Sequence, residues 1–143
     1  MPFITRAQVR FADVDPAGIV FYPRYFEMLN GAVEDWFEQD LGLDFGTMHL
    51  DHHLGVPTVK LETEFVSPSR LGDRLEITLT PVRLGRTSCA ITVVFSGEGR
   101  ERLRAQVVLV CMDLNVHRPV EWPEGVRAAI EAGLPVPDPA ATL

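Results

Sequence analysis

The residues of this chain best suited to chemistry lie together in Asp13-Val14-Asp15-Pro16-Ala17-Gly18-Ile19-Val20-Phe21-Tyr22-Pro23. Asp15 before Pro16 favours a turn, because the Asp side chain bonds nearby backbone N–H groups and Pro presets the second turn position. Gly18 can take positive φ at no steric cost, so the chain can reverse there. Pro23 suits the first position of a helix, where its missing N–H is not needed. A carboxylate is thus held close to a helix N-terminus, whose free N–H groups can meet a developing negative charge. That arrangement suits acyl transfer. On turn chemistry alone, Asp15 is better explained as a turn former. Asp13 points the opposite way if extended geometry persists, which makes it structural or a solvated charge. The D-x-D pair lacks a third ligand at metal-site spacing.

Three other groups carry reactive side chains. His49, His52 and His53 form H-x-x-H-H, which has neither the i, i+4 helical pair nor the acidic base of a metalloprotease. A surface loop, or a lid over a pocket, fits them better, and no metal site is expected. Cys89 and Cys111 stand alone in apolar, strand-like runs and read as small buried hydrophobes in a reducing compartment. Arg83, Arg86 and Arg118 are candidates for a local basic patch, with scattered surface charge as the alternative.

The elements that must position these groups follow from periodicity. Phe3 to Phe11 alternates as a half-buried strand, with Phe3, Thr5, Ala7, Val9 and Phe11 on one side. After the turn, Tyr25, Phe26, Leu29, Ala32, Val33, Trp36 and Phe37 recur at helical steps, and Glu27, Glu34, Asp35, Glu38 and Gln39 fill the other face. The pattern predicts an amphipathic helix of about 18 residues, about 27 Å long. Gly42 is its expected C-cap. Gly31 inside it costs about 1 kcal/mol against Ala, which points to a strand or partner helix passing closely there. Residues 42–57 read as a loop. Strands are predicted over Val59–Phe65, Leu75–Thr80, Ser88–Phe95 and Leu103–Leu114, with turns at Ser67-Pro68-Ser69, Leu84-Gly85-Arg86 and Gly97-Glu98-Gly99-Arg100. The run Val107 to Met112 predicts that the last strand is central and covered on both faces. A short helix follows from Pro123 through Ala132, then a loosely attached Pro-rich tail from about residue 133. An antiparallel sheet of about five strands needs its apolar face covered, and the single long helix is the candidate cover. The fold class is α+β, in one domain spanning 1–143.

The whole chain narrows the function classes. Its net charge of −7 disfavours general attraction to nucleic acid or anionic membranes, and makes any polyanionic ligand depend on local positive charge. No apolar run approaches the ~20 residues of a membrane helix. Charged residues interrupt the first twenty positions where a secretory signal would need an apolar core. A cytoplasmic protein is expected.

The string VRFADVDPAGIVFYPRY, Val9 to Tyr25, closely resembles the signature of hotdog-fold acyl-CoA thioesterases of the 4-hydroxybenzoyl-CoA thioesterase type, with a looser likeness to about Leu114. The resemblance implies an antiparallel sheet wrapped around one long helix, and hydrolysis of an acyl-CoA thioester to a carboxylate and free coenzyme A. It places the family's catalytic carboxylate on Asp15, which would attack the thioester carbonyl or deprotonate a water that does. The backbone N–H of Tyr22 would polarise the carbonyl, with Gly18 shaping the turn. Arg86, Thr87 and Ser88 match the stretch that contacts coenzyme A phosphates. Asn30 falls where the benzoyl-specific relative carries an acidic residue contacting the aryl hydroxyl, so that relative's acyl specificity does not transfer. A plain exposed helix residue is the favoured reading of Asn30. No organic cofactor or metal is implied. The family pairs protomers edge to edge as dimers that often form tetramers, so Val56, Pro57, Thr58 and the 80s segment would face Asp15 of the neighbour. The rival class is a hotdog module that binds acyl-CoA or acyl carrier protein without turnover. An intact Asp15 within the DPAG turn argues against it.

Overall fold

The computed structural model describes residues 2–135. The Pro-rich tail expected to be loosely attached lies mostly outside the described residues. Five strands form one antiparallel sheet in the order β1-β4-β5-β6-β3, with β1 at Phe3–Gln8, β3 at Thr58–Phe65, β4 at Arg74–Leu84, β5 at Ser88–Gly97 and β6 at Arg100–Val110. The long helix α1, Pro23–Gln39, lies against one face. Three very short strands, β2 (Leu54–Gly55), β7 (Met112–Asp113) and β8 (Arg118–Pro119), form a second small sheet, and α2, Glu124–Gly133, follows.

Alternation builds the core. Leu75, Ile77 and Leu79 on β4, Cys89, Ile91, Val93 and Phe95 on β5, and Leu103, Ala105, Val107 and Leu109 on β6 are all buried on the face toward α1. The helix answers with Tyr25, Leu29, Ala32, Val33, Trp36 and Phe37. Each large side chain among these contributes about 1.5–3 kcal/mol by leaving water. The helix ends at Gln39 with Asp40, not Gly42, as its C-cap; Gly42, at φ +74°, turns the chain just beyond it, where the Leu43 N–H returns to the Phe37 carbonyl at 3.0 Å.

Four other local expectations are corrected. β1 stops at Gln8, not Phe11. The Arg10 N–H donates to Asp13 Oδ2 at 2.8 Å and winds Phe11–Asp13 into a 3-10 turn, leaving Phe11 83% exposed. Gly31 faces open space, so no strand of this chain passes closely there. The 42–57 loop contains a π-helical turn at Thr47–Asp51 as well as β2. β6 is covered on one face only: Arg104 and Gln106 project from the other into solvent. Its hydrophobic run reflects β-branched residues half-shielded by neighbouring strands rather than a second covering layer.

The sheet's two edges differ. β3 carries apolar residues on an uncovered surface: Val59 is 57% and Phe65 53% exposed, and Leu61 is exposed as well. Among the described residues β3 pairs with β6 alone. No described helix is long and apolar enough to cross a membrane.

Candidate active site

The Asp15 turn is a miniature hairpin. The Gly18 N–H donates to the Asp15 carbonyl at 2.9 Å, the Asp15 N–H donates to the Ile19 carbonyl at 3.0 Å, and Val14 bridges Val20. Gly18 adopts φ +79°, the conformation glycine takes without penalty. The Ala17 N–H donates to Asp15 Oδ1 at 2.8 Å. This Asx turn holds the carboxylate by one oxygen, and Oδ2 has no hydrogen-bond partner among the described residues. Asp15 is half-buried. Asp13 has the structural role expected of it, capping the preceding turn and accepting the Phe21 N–H on its carbonyl.

Helix α1 begins immediately afterwards, with Tyr22 as its N-cap and Pro23 at its first position. Helix N-termini leave their first N–H groups without intrahelical partners. The Phe21 N–H is used by Asp13 and Pro23 has none, whereas the Tyr22 N–H makes no hydrogen bond among the described residues. One oxygen of a carboxylate and one backbone donor are therefore both free, on either side of a six-residue connection.

A bracket of chain holds this turn from behind. The Leu71 N–H donates to the Gly18 carbonyl, the Val20 N–H to the Ser69 carbonyl and the Gly72 N–H to the Val9 carbonyl. Arg102, buried on β6, fastens the bracket through the Pro68 carbonyl, Ser69 Oγ and Asp73 Oδ2, and reaches the Gly97 carbonyl on β5. Ser69 Oγ also accepts from the Tyr25 hydroxyl at 2.8 Å, tying the bracket to the first turn of α1. Arg102 was not among the residues singled out in the sequence, where it is one arginine in a charged run after a hairpin.

Asn30, Val56, Pro57 and Thr58 are brought together around a cavity of about 500 Å³, whose wall also includes Phe45, His49 and Leu109. Asp15, Gly18 and Tyr22 are not on that wall. His49, which the sequence reads as part of a surface loop or a lid over a pocket, lines this cavity. Its signal was the i, i+4 spacing from Phe45, which the helical turn converts into two rings 5.4 Å apart.

Arg86, Thr87 and Ser88 occupy the β4–β5 turn and the start of β5. The Arg86 guanidinium is exposed and pairs with Glu121 at 3.1 Å. The Thr87 carbonyl accepts from the Cys111 N–H and the Ser88 carbonyl from Trp122 Nε1. The second cation at this turn is Arg127 of α2, whose Nη2 donates to the Gly85 carbonyl at 2.7 Å. Burial pushes the Cys89 thiol up to about 12 and the Cys111 thiol to about 11, so neither supplies a thiolate near neutral pH.

The chain matches the family model described as the thioesterase-like superfamily over residues 9–130. It is 31% identical over 125 residues to a 1,4-dihydroxy-2-naphthoyl-CoA hydrolase from Thermosynechococcus vestitus, covering 87% of this chain and 85% of the relative. The crystal structure of a 1,4-dihydroxy-2-naphthoyl-CoA thioesterase from Synechocystis superposes with a TM-score of 0.82 at 26% identity, over 91% of this chain and 96% of that one. A gentisyl-coenzyme A thioesterase superposes with a TM-score of 0.79 at 26% identity, over 87% and 99%. A five-stranded antiparallel sheet against one long helix, matched over nearly its full length, makes this hotdog-fold chain a member of the thioesterase-like superfamily.

Proposed function

We propose that this protein hydrolyses an aromatic acyl-CoA thioester to the carboxylate and free coenzyme A, with Asp15 as nucleophile or general base. The observation that carries the reading is the pairing of an unpartnered Asp15 Oδ2 with an unpartnered Tyr22 N–H at the start of α1. The N–H would donate to the thioester oxygen, where negative charge builds as the carbonyl is attacked. On one route Asp15 Oδ2 bonds to the carbonyl carbon, the C–S bond breaks, coenzyme A leaves as the thiolate, and water then hydrolyses the mixed anhydride. On the other, Asp15 takes a proton from a water that attacks directly. The products are the same.

Within the superfamily, the sequence resembles the 4-hydroxybenzoyl-CoA type, and the relatives are named for 1,4-dihydroxy-2-naphthoyl and gentisyl thioesters. Their acyl groups share an aromatic ring bearing hydroxyls. A cavity of about 500 Å³, largely apolar with Asn30 and His49 on its wall, suits that class.

We further propose that the complete site spans two protomers. Asp15 and Tyr22 do not line the cavity formed by Asn30, Val56, Pro57 and Thr58 of the same chain. The uncovered apolar surface of β3 is what an edge-to-edge partner would bury. Arg86, Thr87 and Ser88 would meet the coenzyme A phosphates, and a cytoplasmic location would supply that substrate. Release of free thiol from several acyl-CoAs, together with sedimentation, tests both points. Turnover of aromatic acyl-CoAs by a dimer or tetramer is expected. A protein that binds acyl-CoA without releasing thiol would be the non-catalytic module, and a fully active monomer would contradict the shared site.

A further inference from the structure

The cavity wall carries a polar group that the chemistry above does not use. His49 sits in the π-helical turn Thr47–Asp51 and lines the cavity together with Asn30. Its ring packs at 5.4 Å, tilted 56°, against Phe45. Behind it, Gly55 leaves little room: a Cβ there would lie 3.4 Å from His49 Nε2 and 3.0 Å from Leu114 Cδ2. The imidazole is thus held between an aromatic ring and the backbone of β2. Neither ring nitrogen has a hydrogen-bond partner among the described residues, and neither is sealed away from solvent without one. Much of the remaining wall, including Val33, Val56, Leu109, Met112 and Leu114, is apolar. A neutral imidazole offers one donor and one acceptor. Asn30, exposed on the same wall, offers an amide donor and acceptor. Single π-turns of this kind often occur at functional sites.

We infer that His49 is a specificity residue, which selects acyl groups carrying a hydroxyl on the aromatic ring by hydrogen-bonding that hydroxyl from the cavity wall it shares with Asn30. The inference rests on the thioesterase reading and adds to it the group that recognises the ring substituent. The physical basis is asymmetric. A site built to hydrogen-bond a substrate hydroxyl discriminates against the analogue lacking it, because the site's own polar group is then left unpaired. An apolar wall of the same shape would not discriminate in this way.

The test compares 1,4-dihydroxy-2-naphthoyl-CoA with 2-naphthoyl-CoA on the wild type, His49→Phe and His49→Gln. His49→Phe keeps a ring against Phe45 and removes both nitrogens; His49→Gln restores a donor and an acceptor without the ring. The readout is the ratio of kcat/KM for the hydroxylated over the unsubstituted thioester, which a general loss of fold or of catalysis leaves unmoved. His49→Phe is expected to lower that ratio about tenfold, and His49→Gln to recover most of it. A ratio within twofold of wild type in His49→Phe overturns the inference while leaving the thioesterase reading intact. An equal fall in both variants also overturns it, since restoring a donor and an acceptor at this position would then recover nothing. A wild type that releases no thiol from either substrate overturns the thioesterase reading itself, and the role of His49 with it.

Discussion

Arg102 Nη1 lies 2.7 Å from Asp73 Oδ2, with the arginine side chain wholly buried and the aspartate largely so. The pair joins the middle of the sheet to the bracket Pro68–Asp73, which in turn hydrogen-bonds Val9, Gly18 and Val20 on both sides of the Asp15 turn. Positioning of the candidate active site is therefore a property of the core. The guanidinium satisfies four acceptors at once: the carbonyls of Pro68 and Gly97, Ser69 Oγ and the Asp73 carboxylate.

Arg102→Met should consequently destabilise the protein by about 3 kcal/mol or more, the usual cost of breaking a buried ion pair from one side. Chemical denaturation measures it. Arg102→Lys should fall between the two, because an ammonium keeps the charge but cannot reproduce the planar fork. A Met variant as stable as wild type would show that the bracket is held by its backbone bonds alone.

The same pair gives stability a pH dependence. Hydrogen bonding from Arg102, followed by the Arg70 N–H, holds the Asp73 carboxyl below its ordinary value of 3.8. A carboxylate with a depressed folded-state pKa contributes stability above its unfolded pKa, and loses it as pH falls through the folded one. Asp73→Asn should therefore be less stable than wild type at neutral pH, and the gap should narrow as pH drops below about 4. Denaturation midpoints of both proteins across that range measure it, and a gap that stays constant would contradict the pairing.

Arg86 and Glu121 make the opposite kind of pair, with side chains 74% and 65% exposed. Such a contact is worth at most about 1 kcal/mol, so Arg86→Ala should barely shift the unfolding midpoint. If Arg86 meets coenzyme A phosphates, KM for an acyl-CoA should rise a few-fold to tenfold with kcat almost unchanged, because remote phosphates bind ground and transition states alike. The deficit should shrink as salt rises, and a short thioester lacking the nucleotide should show none. Equal losses on both substrates would assign Arg86 a structural role.

What could be read in the sequence, and what could not, divides by the range of the interaction. The turn at Asp15 and the helix from Pro23 are local: each depends on residues within a few positions, and the structure has them where turn and cap chemistry place them, while the helix stops at Gln39, shortly before Gly42. The inward face of β4 and β5 follows from strict alternation. The misreadings are non-local. Phe11 continues the alternation of β1, yet a cap from Asp13 three residues on diverts the chain. Val107 to Met112 resembles a strand covered on both faces, but no layer covers the side of Arg104 and Gln106. Arg102 is buried because partners from two separate segments, Pro68–Asp73 and the end of β5, converge on it, which no spacing reveals. His49 needed the cavity before its spacing from Phe45 meant anything.

The central claim is that Asp15 performs the chemistry, and Asp15→Asn tests it most directly. Asparagine keeps the side-chain oxygen that accepts the Ala17 N–H, so the turn should survive, but it carries no charge with which to attack a carbonyl or take a proton from water. Free-thiol release from an aromatic acyl-CoA, measured on wild type and variant at matched folded concentration, should fall by at least about 10²-fold, with affinity for a non-hydrolysable analogue retained. Near-normal turnover by the Asp15→Asn protein would contradict the account.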